Sequence, residues 1–364
     1  MTAAWIDEAL SSEGRGLPAQ AYGDEAVFAL ERARLFAKTW ICIGLASDVA
    51  APGDLRPLEV LGQALLLLRD RDGEVRVFHN VCRHRGHPLA LEAGNAQRLL
   101  VCPYHRWSYA LDGRLVATPH VERPCEAIAL DAVRAAQWHG LVFVNLSGDA
   151  PPFTDFIKPL EARWAAYDLS LLAPGESLVY EVRANWKLIV ENFVDYYHLP
   201  AVHQGLNSYA PMEDYQAIDD GRLLVGQAIA SYDPEDEAVG RLPTFPGLSE
   251  AERRYTEALS LFPNLLVTIF ADNLRIIIVE PLASGHSRER VEVFFLGAAA
   301  KDPALAPVRQ AAVARFREFN AEDVEVVERL QATFVRNPFD GGHLVPDFDG
   351  NVRAFQRRVL QALA

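Results

Sequence analysis

The sequence predicts an α+β chain: an all-β module followed by a larger domain in which helices flank an antiparallel sheet. Two observations carry this. Between Asp54 and about Val144, short apolar runs are separated by turn residues, whereas the later half alternates helical periodicity with longer strand-like runs. At 364 residues with 50% hydrophobic content, the chain is long enough for two packed cores.

The elements follow in order. Ala26–Phe36 has helical periodicity, and Trp40–Leu45 reads as a strand. Ala64–Leu68, Val75–Phe78, Leu99–Cys102 and Leu141–Asn145 are strand candidates, punctuated by Asp72–Gly73, Asp112–Gly113 and His139–Gly140. Ala150–Pro152 reads as a boundary. Beyond it, Ile157–Leu169, Trp186–Tyr197, Ala311–Phe334 and Val352–Leu363 are helix candidates, and Leu261–Phe270, Leu274–Val279 and Val291–Leu296 are strand candidates. The expected division is a helical segment over 1–40 packing on the second domain, a β-domain over 41–150 and a catalytic domain over 151–364.

No apolar run reaches the ~18–20 residues needed to span a bilayer, and the acidic stretch from Met1 to Gly16 lacks a secretory pattern. A cytoplasmic protein is expected. The formal net charge of −14 and the lack of a basic run argue against a nucleic-acid partner.

Four cysteines are too few for a disulfide framework. Cys42, inside Trp40–Ile43, and Cys125 are expected to be structural. Cys82 and Cys102 differ, because each has a histidine at short spacing: Cys82-x-His84 and, after 17 intervening residues, Cys102-x-x-His105. Two converging loops would then supply two thiolates and two imidazoles. Two thiolates on one iron and two imidazoles on the other describe a Rieske [2Fe–2S] cluster. A Cys₂His₂ zinc site uses the same residue types, but zinc sites usually pair Cys with Cys and His with His. His79 and His87 lie nearby; His87, before Pro88, is read as a loop residue.

A second constellation spans Asn185 to His203. His198 and His203 would point about 140° apart on an unbroken helix, so a shared metal requires a break, for which Pro200 is the candidate. Two histidines and one carboxylate make the facial triad of non-haem Fe(II) oxygenases, with positions left open for O₂. Asp195, three residues before His198, could be a ligand or a hydrogen-bond partner of that histidine. The distant candidates are Glu322 and Asp323.

Around these residues, Cys82–Arg83–His84–Arg85–Gly86 and Cys102–Pro103–Tyr104–His105–Arg106–Trp107–Ser108–Tyr109 followed by Leu111–Asp112–Gly113 resemble the Rieske motif of ring-hydroxylating oxygenase α subunits. Gly is the most frequent residue there at the position of Arg106. Asp195-x-x-His198-x-x-x-x-His203 with a distant acid pair and Gln331 resembles the same family's iron motif. The resemblance runs from about Pro18 to Phe334. It implies Asp323 as the third iron ligand, and a terminal oxygenase drawing electrons from a separate NAD(P)H-dependent reductase or ferredoxin, through the cluster, to the iron. It further implies a homotrimer, with Asp195 bridging an iron-ligand histidine to a Rieske histidine of the neighbouring subunit, His105 by loop order. The chain has no Gly-rich dinucleotide fingerprint of its own.

Leu17–Tyr22 with Phe28, Glu31, Phe36 and Trp40 resembles the branch containing choline, carnitine and betaine monooxygenases. That implies hydroxylation or demethylation of a quaternary or tertiary amine, with an aromatic acid or ring as the alternative substrate. Tyr209, Phe262 and Phe270 are candidates for an aromatic cage, and Asp272 and Asn273 for the pocket wall; core or turn positions are the plainer reading of all five. A Rieske electron-transfer protein without oxygenase activity would need only the first four ligands.

Overall fold

A computed structural model describes residues 2–12, 14–121, 127–232, 234 and 240–364; Cys125 lies outside the described residues. The chain falls into two compact units, 37–153 and a second made of 1–36 with 154–364.

Among the described residues, the unit 37–153 has ten strands: β1 (Ile41–Leu45), β2 (Asp54–Val60), β3 (Gln63–Arg69), β4 (Val75–His79), β5 (Gly94–Asn95), β6 (Leu99–Val101), β7 (Ser108–Ala110), β8 (Leu115–Ala117), β9 (Arg134–Trp138) and β10 (Leu141–Asn145). They form three small antiparallel sheets, ordered β1-β10-β9, β4-β3-β2-β5 and β6-β7-β8. Leu66, Leu68, Phe78, Leu100 and Leu111 make an apolar core that includes Cys82 and Cys102. Both thiols therefore sit at the base of their loops, anchored on strands. Cys42 is buried on β1.

The other unit is organised around a seven-stranded antiparallel sheet of β11 (Leu172–Val182), β12 (Tyr215–Asp219), β13 (Leu224–Ile229), β14 (Thr256–Leu261), β15 (Leu265–Ile269), β16 (Asn273–Ala283) and β17 (His286–Leu296), ordered β11-β17-β16-β15-β14-β13-β12. The segment expected as one strand over Leu261–Phe270 is two, because Pro263 and Asn264 turn the chain between β14 and β15. The register sets Gln227, Ala258, Thr268 and Arg275 opposite one another across four strands. Alternate residues of a strand share a face, so this row and its i±2 neighbours line one side of the sheet.

Helices lie with this sheet: α1 (Thr2–Ser11), α2 (Gln20–Gly23), α3 (Glu25–Leu30, continued by a π-turn over Glu31–Phe36), α4 (Phe153–Arg163), α5 (Trp186–Val194), α6 (Leu199–Val202), α7 (Gln204–Asn207), α8 (Ala306–Arg336) and α9 (Gly350–Leu363). Asn185 caps α5 by accepting from Lys187 N at 2.9 Å. Gln331, on α8, accepts from Asn185 N at 2.8 Å and donates to Tyr22 O at 3.2 Å. It pins the start of α5 and stands apart from the histidines. In the π-turn, Glu31 is buried and receives Trp186 Nε1 at 2.8 Å and the Lys187 ammonium. A buried charge requires such partners. Among the described residues, no helix is long and apolar enough to cross a membrane.

Candidate metal centres

The two cysteine loops are copies of one backbone device. Cys82 N donates to His87 O at 2.9 Å and Gly86 N to Cys82 O at 3.0 Å. Cys102 N donates to Trp107 O at 2.8 Å and Arg106 N to Cys102 O at 3.0 Å. In each loop the residue four beyond the cysteine has positive φ: Gly86 at +78° and Arg106 at +62°. That left-handed position is why glycine suits it; Arg106 holds the turn against Cβ strain.

The loops place like with like. The His84 and His105 rings are 4.6 Å apart, edge to face, and Trp107 stacks on His84 at 4.7 Å with 9° between planes. Burial pushes the Cys102 thiol up, and the neighbouring Cys82 adds to this, while the Tyr104 and His105 amides donate to the sulfur. The Tyr109 hydroxyl lies 3.2 Å from Cys82 Sγ and accepts from Arg83 N at 3.0 Å. With its lone pair engaged by that amide, its proton is free for the sulfur. His87, whose ring faces Pro88 O at 2.7 Å, closes the first loop through its carbonyl.

A single zinc ion would require all four ligand atoms within one tetrahedron. Among the described residues, the group of three or more His, Cys, Asp or Glu ligand atoms that all lie within 4.8 Å is His198, His203 and Asp323. The two-thiol, two-imidazole set is less compact. That fits a cluster of two irons, with neutral imidazoles on one and thiolates on the other.

The triad arises from a break in the chain, though not where sequence reading put it. Helix α5 ends at Val194, and Asp195 is extended with ψ 138°. Pro200 lies in the first turn of the new helix α6, a position where its missing N–H costs nothing. His198 and His203 flank that one-turn helix, with ring centroids 5.0 Å apart.

Each imidazole is held by a carboxylate on its outer nitrogen. His198 Nδ1 is 2.8 Å from Asp195 Oδ2, and His203 Nδ1 is 2.6 Å from Glu322 Oε2. The inner nitrogens converge on one oxygen: Asp323 Oδ1 is 2.8 Å from His203 Nε2 and 3.6 Å from His198 Nε2. Burial disfavours charge on the His203 ring, yet Asp323 and Glu322 outweigh it and hold its pKa above the ordinary value. A ring facing carboxylates at both nitrogens must carry two protons unless a cation takes one proton's place. His198, His203 and Asp323 could hold a divalent metal, which would take the place of a proton at the inner nitrogens and would leave each Nδ1–H on its carboxylate. Adjacent Glu322 and Asp323 thus face different nitrogens of one ring.

A cavity of about 140 Å³ opens beside this triad, between one face of the sheet and α8. The helix contributes Arg315, Phe316, Phe319, Asn320, Asp323, Val324 and Val327, a stripe at three- and four-residue spacing. Tyr215, Tyr232, Phe270 and Arg275 also line it, whereas Tyr209, Phe262, Asp272 and Asn273 do not. Tyr209 packs behind Tyr232 at 5.7 Å, and Phe262 packs on Phe355. Glu289, also lining the cavity, accepts from Asn320 Nδ2 at 2.9 Å, and burial pushes its carboxyl up to about 7.

Two family models match the sequence: "Ring hydroxylating alpha subunit (catalytic domain)" over residues 169–364 and "Rieske [2Fe-2S] domain" over 39–145. The carnitine monooxygenase oxygenase subunit of Escherichia coli (strain K12) is 28% identical over 352 residues, covering 92% of this chain and 88% of that protein. The glycine betaine monooxygenase oxygenase subunit of Chromohalobacter salexigens is 35% identical over 227 residues, covering 60% of this chain and 51% of that protein. A solved quaternary ammonium Rieske monooxygenase, described in terms of carnitine oxidation and inter-subunit electron transfer, shares the fold with a TM-score of 0.80 at 22% identity, over 100% of this chain and 99% of that one.

Proposed function

The chain belongs to the family of ring hydroxylating alpha subunits, and from that premise we propose that it is the terminal oxygenase of a system that hydroxylates or demethylates a quaternary or tertiary amine. One observation carries the reading: two Nε2 atoms and one carboxylate oxygen converge at the edge of a cavity walled by aromatic rings. The relatives named for carnitine and glycine betaine oxidation support the amine.

His198, His203 and Asp323 would hold Fe(II), and Cys82, His84, Cys102 and His105 the [2Fe–2S] cluster. When bound, these groups supply one-electron transfer and O₂ activation. The chain's own residues do the rest. Asp195 and Glu322 accept from the Nδ1–H groups, fix the tautomers and turn each Nε2 inward. Tyr215, Tyr232, Phe316 and Phe319 exclude water and offer π faces to an alkylammonium. The carboxylates in the cavity are already engaged: Asp195 and Asp323 with histidine, and Glu289 with Asn320, in a site where burial disfavours its charge. Ammonium recognition therefore falls to the rings.

The family requires a reductase. An NAD(P)H-dependent flavin/iron–sulfur reductase or a ferredoxin is the proposed donor, in the cytoplasm where NAD(P)H is made. A homotrimer is proposed with it, in which Asp195 also meets His105 of the next subunit. Inter-subunit electron transfer in the solved relative supports this route.

Thermal stability of the anaerobic, Fe(II)-loaded protein with a panel of quaternary amines and aromatic acids tests the substrate class, since a ligand of the native state raises Tm by mass action. Stabilisation by the amines is expected. Stabilisation by aromatic acids alone overturns the amine reading and makes ring hydroxylation or O-demethylation the working function.

A further inference from the structure

Arg275 is a guanidinium in the cavity lining with no ion-pair contact among the described residues. It sits on β16, in the row that faces the cavity, and lies over the Phe316 ring at 4.4 Å and the Phe270 ring at 5.1 Å. Among the described residues it has no salt bridge, and its buried Nε has no hydrogen-bond partner. Burial holds its pKa below the usual guanidinium value; the charge of Arg315 acts in the same direction, and Tyr232, Tyr209 and the Asp272 carboxylate oppose it without outweighing burial. Arg315, on α8, also lines the cavity, so two cations converge from opposite walls.

Stacking on two rings does not replace what the group has lost. Contact with a π face returns only part of what stripping water from a charge costs. A guanidinium presents five donors in a planar fork matched to a carboxylate or phosphate. Here the fork borders the reaction cavity; the charge of the buried Asp272 acts on both arginines, but no carboxylate among the described residues makes an ion pair or hydrogen bond with Arg275.

We propose that Arg275, with Arg315 beside it, is the receptor for a carboxylate on the substrate, so that the substrate class is a zwitterion carrying both an ammonium and a carboxylate. This rests on the oxygenase reading above and narrows it. The order of side chains along α8 supports the placement. Arg315 and Asp323 are eight residues apart, about 12 Å along the helix axis, with Phe316 and Phe319 between them on the same stripe. An acid anchored at Arg315 and Arg275 therefore directs its ammonium end past two rings toward His203, which Phe319 contacts at 5.7 Å. A dication would meet like charge at the guanidinium end, and a simple alcohol-bearing ammonium would leave the fork unfilled.

The test compares matched ligands on the anaerobic, Fe(II)- and cluster-loaded protein by calorimetry or thermal shift: glycine betaine, L-carnitine and γ-butyrobetaine against choline, with benzoate as an acid lacking an ammonium. At least one of the three carboxylated ammonium compounds is expected to bind at least tenfold more tightly than choline. Arg275→Gln is expected to weaken that ligand by about 30-fold, one charge-assisted contact's worth, with iron content and cluster absorbance unchanged. Arg315→Gln provides the same readout from the other wall should the first variant not fold, and the wild-type ligand comparison needs no variant. Equal binding of choline and the zwitterions, or full affinity in both variants, overturns the carboxylate receptor while leaving an amine oxygenase in place. Arginine-dependent binding of benzoate without any ammonium ligand keeps the receptor and overturns the amine.

Discussion

Glu322 Oε2 lies 2.6 Å from His203 Nδ1, on the side of the ring facing away from the point where His203 Nε2 meets Asp323 Oδ1 at 2.8 Å. Neighbours in sequence thus have separate tasks. Asp323→Asn or Asp323→Ala should leave the protein folded and its cluster absorbance intact but remove the mononuclear iron. Glu322→Gln keeps the side chain's shape and should retain iron at an affinity lowered by about 10–100-fold. Iron titration followed by metal analysis separates the two, and the opposite ranking would make Glu322 the ligand.

Asp195 hydrogen-bonds His198 Nδ1 through one oxygen and Tyr197 N, at 2.7 Å, through the other. An asparagine can still accept from the imidazole, so Asp195→Asn should bind both metals and yet lose nearly all turnover. Single-turnover oxidation of the reduced cluster in the presence of substrate reads the electron step directly. Loss of iron in this variant would instead make Asp195 structural or a ligand.

The Tyr109 hydroxyl lies 3.2 Å from Cys82 Sγ, and toward a cluster-bound thiolate, which has no proton, it can only donate. Hydrogen bonds to cluster sulfurs stabilise the more negative, reduced state. Tyr109→Phe should therefore bind a full cluster and show a lower reduction potential in an EPR-monitored redox titration. An unchanged potential would show that this hydroxyl does not tune the cluster.

Arg106 is exposed and occupies a left-handed backbone position, φ +62°. The left-handed conformation costs a non-glycine residue about 1–2 kcal/mol, and glycine's extra unfolded-state entropy returns roughly 0.5–1 kcal/mol of that. Arg106→Gly should raise stability by about 0.5–1 kcal/mol, measured by denaturant unfolding at equal cluster occupancy. A destabilised variant would mean that the arginine side chain makes contacts worth more than the strain.

Local chemistry was legible in the sequence. Cys82-x-His84 and Cys102-x-x-His105 each sit in one loop, so their spacing alone constrains which atoms can meet a metal. The two histidines around Pro200 were legible as a pair needing a break, but the break falls at Asp195, because Pro200 is compatible with the first turn of a new helix. The long strand expected over Leu261–Phe270 hid a turn, since apolar continuity cannot register a reversal at Pro263–Asn264.

The sequence by itself determined the order of the domains, the candidate ligand residues and the class of chemistry, because metal-binding spacing and hydrophobic periodicity are short-range. Only the tertiary structure decided which of two adjacent acids faces the inner nitrogens of His198 and His203, which aromatics wall the cavity, and that Arg275 and Arg315 both line it. Those outcomes depend on strand register and on the rotation of α8 against the sheet. A shift of one residue in register would turn Arg275 to the opposite face, and no local pattern in the chain reports that choice.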